Sequence, residues 1–218
     1  MSDLNTKWVL ENFSDKPINF FDIGAAQVSG DAIVFKTTLP NATIYAFECA
    51  EIYREHNFQF AQWYDIKYFH CAMSDKNGTA TFYPSDTYNG NHHPYSGSIC
   101  KPTMTITSSG EFVWGEPYTV ETIRLDTFCD KHNVYPDIIH IDVQGAEYKV
   151  LSSMGNYRPL CIWAEVNEFE NCYETNVKYK DFNELMISLG YIKHHSTGLD
   201  ELYVLSNLVV TPYYEKHK

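Results

Sequence analysis

Ile18-Asn19-Phe20-Phe21-Asp22-Ile23-Gly24 is a short apolar run that ends in an acid and a glycine. Apolar residues at successive positions read as a strand buried on both faces, as in a parallel sheet, and the glycine marks a tight stop. The profile returns three times: Thr43 to Phe47 ends in Glu48, Asp137 to Ile141 ends in Asp142, and Leu160 to Val166 carries Glu165 near its end.

Helical stretches separate these runs. Ser29 is expected to cap a helix running to about Leu39, which Pro40 terminates. Ala50 to Gln62 reads as a helix and Ile66 to Ala72 as a third strand; Asn77-Gly78 is a tight turn into a strand over Thr79 to Tyr83. A strand over Tyr118 to Ile123 precedes a helix from Asp126 to His132, and another helix starts near Ala146. Asp181 with Glu184 resembles a capping box, and Phe182, Leu185, Met186 and Leu189 share one face of the helix it would open, which Gly190 stops. Tyr191 to His195 and Leu202 to Val210 close the chain as two strands around a turn containing Gly198.

This alternation predicts an α/β fold: a doubly wound, mostly parallel sheet of seven strands with an antiparallel hairpin at one edge. Residues 84–117 break it, with four prolines, four glycines and no sustained period. At 218 residues with 44% hydrophobic side chains, the chain is expected to form one domain over 1–218 with 84–117 as an insertion.

The net charge of −12, from 28 acidic side chains against 16 Lys and Arg, argues against a nucleic-acid partner, since phosphate binding relies on Lys and Arg. The one basic concentration is Lys216-His217-Lys218. Met1 to Lys16 lacks the pattern of a secretory signal and no apolar run is long enough for a membrane span, so no membrane partner is expected. Six scattered cysteines suit a reducing, cytoplasmic compartment. Cys129-x-x-His132 has no second ligand pair, and no metal is expected.

Open α/β sheets bind ligands at the carboxyl ends of their strands, where Asp22, Glu48, Asp142 and Glu165 fall. Converging carboxylates need a cationic or hydroxyl-bearing ligand, although each alone can simply cap the next helix. S-adenosylmethionine (SAM) offers a sulfonium, an ammonium and ribose hydroxyls. Glu48 lies 24 residues after Gly24, close to the spacing of a ribose-binding acid. The loop Ala25-Ala26-Gln27-Val28-Ser29-Gly30 lacks the three-glycine pattern that a pyrophosphate requires, which counts against NAD and FAD.

At Phe21-Asp22-Ile23-Gly24-Ala25, Tyr45-Ala46-Phe47-Glu48, Ala72-Met73-Ser74-Asp75, Leu125-Asp126, His140-Ile141-Asp142-Val143-Gln144-Gly145-Ala146-Glu147 and Ala164-Glu165-Val166, the chain resembles the FkbM family of SAM-dependent methyltransferases. The resemblance covers roughly residues 18–168 and implies a class I methyltransferase fold, SAM as donor, and O-methylation of a sugar or another hydroxylated small molecule. It implies Asp22 and Gly24 at the methionine end of SAM, Glu48 at the ribose, and Ala72, Met73 and Ser74 beside the adenine. Ala25, Gln27 and Cys49 complete the implied cofactor set, and Asp142 would stand by the transferring methyl and the acceptor. The chain departs from the family pattern at Ala26, usually asparagine, at Val28, usually glycine, and at Gln144, usually glutamate.

Hydroxyl methylation calls for a general base. Asp142 is the first candidate, with Glu165 or His93 next and His92 as a further histidine; Asp142 as a pure SAM ligand stays open. His140 points to the same strand face as Asp142 and reads more readily as a core histidine. The insertion 84–117, with Tyr88, Tyr95, Phe112 and Trp114, is expected to act as an acceptor-binding lid, and an oligomer contact is the alternative, so a homo-oligomer stays open. Two other functions remain: a degenerate, non-enzymatic binding or assembly module, and an NAD(P)-dependent oxidoreductase.

Overall fold

The computed structural model describes residues 8–9, 11–103, 111–166, 172–175, 177–198 and 200–208. Glu168, Val209, Val210 and the tail Lys216–Lys218 lie outside them, as do residues 104–110 of the insertion. In chain order the elements are β1 (Asn19–Ile23), α1 (Asp31–Thr38), β2 (Thr43–Phe47), a 3₁₀ turn (Glu51–Tyr53), α2 (Arg54–Tyr64), β3 (Lys67–Phe69), β4 (Ala72–Ser74) and β5 (Gly78–Phe82). The insertion contributes β6 (Ser85–Tyr88), β7 (Asn91–His92), a 3₁₀ turn (Pro94–Ser96) and β8 (Phe112–Trp114). There follow β9 (Tyr118–Arg124), α3 (Leu125–His132), β10 (Ile138–Ile141), α4 (Glu147–Ser152), β11 (Cys161–Glu165), α5 (Tyr179–Ser188), β12 (Tyr191–Ser196) and β13 (Asp200–Leu205).

Seven strands form the main sheet in the order β12-β13-β11-β10-β1-β2-β3. β11, β10, β1, β2 and β3 run parallel, while β13 is antiparallel to both its neighbours. Side chains alternate across the sheet because the strand period is two. Phe20, Ile44, Ala46, Ile138 and Trp163 pack with Ala32, Phe35 and Leu39 of the α1 side, together with Trp8, Val9 and Phe13. Phe21, Ile23, Phe47, Ile139, Ile141 and Ile162 pack on the other face with Leu125 and Phe128 of α3, Val150 and Leu151 of α4, and Phe182 and Met186 of α5. Both faces are covered, which is why the strands read as continuous apolar runs. The order reverses at β1, between β2 and β10, and ligand crevices form at such switch points.

Three local expectations are corrected, at Ser29, at 66–72 and at Asp181. Gly30, not Ser29, occupies the cap position of α1 and makes no side-chain cap bond; the Ser29 hydroxyl instead pairs with His56 Nε2 at 2.9 Å. The predicted strand 66–72 breaks at His70-Cys71 into β3, in the main sheet, and β4, in a small sheet ordered β4-β9-β5. Asn77-Gly78 therefore joins two strands that flank β9 and do not pair with each other. Asp181 is the third residue of α5, not its start: its carboxylate accepts the N–H of Lys178, the cap residue, at 2.9 Å. The insertion holds its own antiparallel sheet, β7-β6-β8. Its hairpin turns at Asn89-Gly90, both at positive φ (50° and 75°), the pairing that a two-residue hairpin loop favours.

Candidate active site

A cavity of about 220 Å³ opens at the carboxyl ends of β1, β2 and β10. Asp22, Gly24, Ala25, Glu48, Cys49, Ala72, Met73 and Asp142 line it, all named from the sequence as cofactor-binding residues. Gln27, which is exposed, and Ser74, whose hydroxyl donates to Asp75 at 3.1 Å, are not among the lining residues.

Gly24 makes the cavity floor possible. Its φ is +87°, and a Cβ there would lie 1.8 Å from the carbonyl oxygen of Asp142. Only glycine lets the first loop press against the end of β10. Ala26 also has positive φ, at +45°, a conformation that asparagine tolerates better than alanine. The loop holds its shape through α2 and Glu48. Buried Asn57 donates to the Ala26 carbonyl at 2.7 Å and accepts the Val28 N–H at 2.9 Å. Glu48 accepts the N–H groups of Ala26 at 2.9 Å and Ala50 at 2.6 Å. Val28 points into the core and does not line the cavity.

The second loop, Val143 to Gly145, is fixed from three sides. Glu147 accepts the N–H groups of Val143 at 2.9 Å and Gly145 at 3.3 Å. Ser98, in the insertion, donates to the Gln144 carbonyl at 2.7 Å. The Tyr173 ring lies so close to Gly145 that a Cβ there would meet it at 3.0 Å, and the Tyr173 hydroxyl lies 3.1 Å from Gln144 Oε1. Gln144, at φ +54°, turns its amide nitrogen toward two carboxylates, Asp142 and Glu165, each at 2.7 Å.

Burial dominates the electrostatics. It pushes Glu48 up to about 7 against three backbone N–H bonds, and Glu147 up to about 8. Glu165 rises to about 9 through burial and the neighbouring Asp142. Asp22 is also raised by burial; its Oδ1 lies 2.7 Å from His140 Nδ1, and its Oδ2 is buried without a partner. Burial alone would lower His140, but the bond and field of Asp22, with Asp31 and Asp142 beyond, raise it instead.

Asp142 thus reaches the cavity directly, whereas Glu165 is tied to it through Gln144 and is not a lining residue. His93 belongs to the insertion, with Nε2 3.0 Å from the Ser96 hydroxyl and its ring against Tyr88 and Phe112; His92 is exposed in β7. The segment from Pro94 to Ile99 forms one cavity wall. Asn57, Asp31 and Tyr173 carry no signal in the sequence, and Glu147 stands in the His140–Glu147 run without a role of its own. Among the described residues no group of three or more His, Cys, Asp or Glu is arranged to hold a metal ion, and no helix is long and apolar enough to cross a membrane.

The lining fits SAM. It presents carboxylates to a cation and to hydroxyls, and among its residues it has neither the Lys or Arg nor the glycine-rich loop that a pyrophosphate needs. Asp22, Gly24 and Ala25 would hold the methionine end, Glu48 the ribose, and Ala72 and Met73 the adenine.

Comparison with known proteins agrees. The methyltransferase FkbM domain matches residues 22–193. The 2-O-methyltransferase NoeI of Sinorhizobium fredii (strain NBRC 101917 / NGR234) is 29% identical over 196 residues, covering 85% of this chain and 78% of that protein. Among solved structures, a precorrin-6Y C5,15-methyltransferase of Geobacter metallireducens GS-15 superposes with a TM-score of 0.44 at 10% identity, covering 92% of this chain and 82% of the other. A SAM-dependent methyltransferase of Aquifex aeolicus gives a TM-score of 0.40 at 6% identity, covering 94% and 97%. With TM-scores below 0.5, neither superposition carries an argument. The family match spans most of the chain, and with it the protein belongs to the FkbM methyltransferases, enzymes that take their methyl group from S-adenosylmethionine.

Proposed function

We propose that this enzyme methylates a hydroxyl oxygen of a small molecule, with a carbohydrate as the first class to test. The observation that carries the reading is Asp142, a lining residue beside the first loop, one of whose carboxylate oxygens is held by Gln144. The similarity to a 2-O-methyltransferase supports oxygen as the nucleophile.

When bound, SAM supplies an electrophilic methyl carbon on a sulfonium. A hydroxyl attacks poorly until its proton has an acceptor, and Asp142 is the carboxylate placed to take it. Glu165, raised by burial and by Asp142, does not line the cavity, so it serves Asp142 as a neighbour and not as the base. Residues 84–117 act as the acceptor-binding lid: Pro94 to Ile99 wall the cavity, and Tyr88, Phe112 and Trp114 form an aromatic run behind them. Orientation of donor and acceptor supplies much of the rate in such a displacement. All six cysteines are free thiols, in keeping with a cytoplasmic setting.

The test is incubation with SAM and a panel of mono- and oligosaccharides, polyols and phenols, with product methylation read by mass spectrometry. Acceptor-dependent S-adenosylhomocysteine formation supports the reading. SAM binding with no transfer to any hydroxylated acceptor favours the degenerate, non-enzymatic module instead.

A further inference from the structure

The cavity is short of positive charge. Four acidic residues line it, Asp22, Asp31, Glu48 and Asp142, and among the lining residues there is no Lys or Arg; His140 is the one lining residue able to become a cation. SAM brings an α-carboxylate as well as its sulfonium and ammonium, and that anion requires donors.

The first loop has few to give. The N–H groups of Gly24 and Ala25 already donate to the Phe47 carbonyl at 2.9 and 3.0 Å, that of Ala26 to Glu48, that of Val28 to Asn57, and that of Gly30 to the Gln27 carbonyl at 2.8 Å. Among the lining residues near Asp31, the start of α1 and the His140 ring remain as donors.

His140 is set in place for this use. It faces Asp22 across the β1–β10 ladder, with Nδ1 2.7 Å from Asp22 Oδ1; an ionised Asp22 accepts the Nδ1–H there. The ring packs between Phe35 and Trp163, with centroids 5.6 and 5.2 Å away, yet still lines the cavity. With Nδ1–H committed to Asp22, a neutral ring would carry only a lone pair at Nε2; the imidazolium has a second N–H there. Among the described residues, the charged groups that act on it are the acids Asp22 on β1, Asp31 on α1, Asp142 after β10 and Asp200 on β13.

We propose that protonated His140, held by Asp22, is a cofactor-binding residue that receives the α-carboxylate of SAM at Nε2. Affinity for ligands that carry the amino-acid end then depends on the imidazolium and falls as pH rises through its titration. Ligands that lack that end are indifferent to it.

S-Adenosylhomocysteine and 5′-methylthioadenosine separate these cases, since both contain adenine, ribose and a neutral thioether but only the first has the amino-acid end. Calorimetric dissociation constants are measured for both ligands from about pH 6 to about pH 8.5, across the histidine range. His140→Gln is expected to weaken S-adenosylhomocysteine about 10- to 100-fold, as loss of a charge-assisted bond does, and to change 5′-methylthioadenosine less than about twofold. His140→Lys, which retains a cation, should recover part of the loss. In the unmodified protein the S-adenosylhomocysteine constant should weaken with rising pH relative to that of 5′-methylthioadenosine, which shares whatever Glu48 contributes at the ribose. Equal losses for the two ligands, or an unchanged S-adenosylhomocysteine constant, would overturn the proposal. If His140→Gln does not fold, the pH profiles of the unmodified protein decide: parallel profiles for the two ligands overturn it. No methyl acceptor is used, so the result is independent of whether oxygen is the nucleophile.

Discussion

Asp142 and Glu165, at the ends of neighbouring strands, share one amide: Gln144 Nε2 lies 2.7 Å from Asp142 Oδ1 and 2.7 Å from Glu165 Oε2. A glutamate at this position, usual in the family pattern, removes the amide donor from Asp142 and sets a further carboxyl beside it, with only the Glu165 proton left to share. Gln144→Glu is therefore expected to destabilise the protein at about pH 8 by roughly 2–3 kcal/mol, the scale of hydrogen bonds to charged groups. The cost should shrink toward about pH 5, where a protonated carboxyl again supplies a donor. Urea unfolding of both proteins at the two pH values reads this directly; a cost that does not change with pH contradicts it.

The raised acids give the whole protein a signed pH dependence. Glu48, Glu147 and Glu165 titrate near 7, 8 and 9 in the fold, above their ordinary value of 4.5. The folded state therefore holds more protons than the unfolded chain between about pH 4.5 and about pH 9, and stability falls as pH rises through that window. One full proton corresponds to about 1.4 kcal/mol per pH unit, reduced for Glu165 by its partial exposure. Glu165→Gln should flatten the decline above about pH 7, measured as Tm against pH. A stability that climbs over the same range would refute this assignment.

Asn57 substitutes for the glycines that the first loop lacks. Its amide spans Ala26 and Val28 from a fully buried position on α2. Asn57→Ala leaves a buried N–H and a carbonyl unpaired and should cost about 2–3 kcal/mol. It should also weaken SAM binding by calorimetry, because the loop it braces lines the cavity. Unchanged affinity would show that the loop keeps its shape without it.

Two neighbouring positions should respond in opposite directions. Gly24→Ala places a methyl 1.8 Å from the Asp142 carbonyl oxygen, so a loss of at least about 3 kcal/mol is expected, together with SAM binding. Ala26→Asn relieves a left-handed alanine and should stabilise by about 0.5–1 kcal/mol. Denaturant midpoints of the two variants check both signs.

The strands β1, β2, β10 and β11 were legible because both their faces are covered, leaving apolar runs that end in an acid at the switch point. β3 and β4 were not, since a continuous apolar stretch hides the break at His70-Cys71 where the chain changes sheets. The insertion's strands are two to four residues long with exposed faces, so no period marks them. Asn89-Gly90 was the readable signal. At the site, Asp22, Glu48 and Asp142 announced themselves at strand ends. Asn57, Glu147 and Tyr173 act on loops through contacts that neither periodicity nor a strand end reveals, and His140 looked like core because its partner, Asp22, is 118 residues away.

The most direct measurement compares the unmodified enzyme with Asp142→Asn, using SAM labelled with ¹³C in its methyl group and a hydroxylated acceptor found in the panel. The expected result is an O-methyl product by NMR, SAM affinity within about tenfold of normal in the variant, and methyl transfer reduced at least about 100-fold, as for loss of a general base. An N-methyl or C-methyl product, or a variant that transfers at the normal rate, would contradict it.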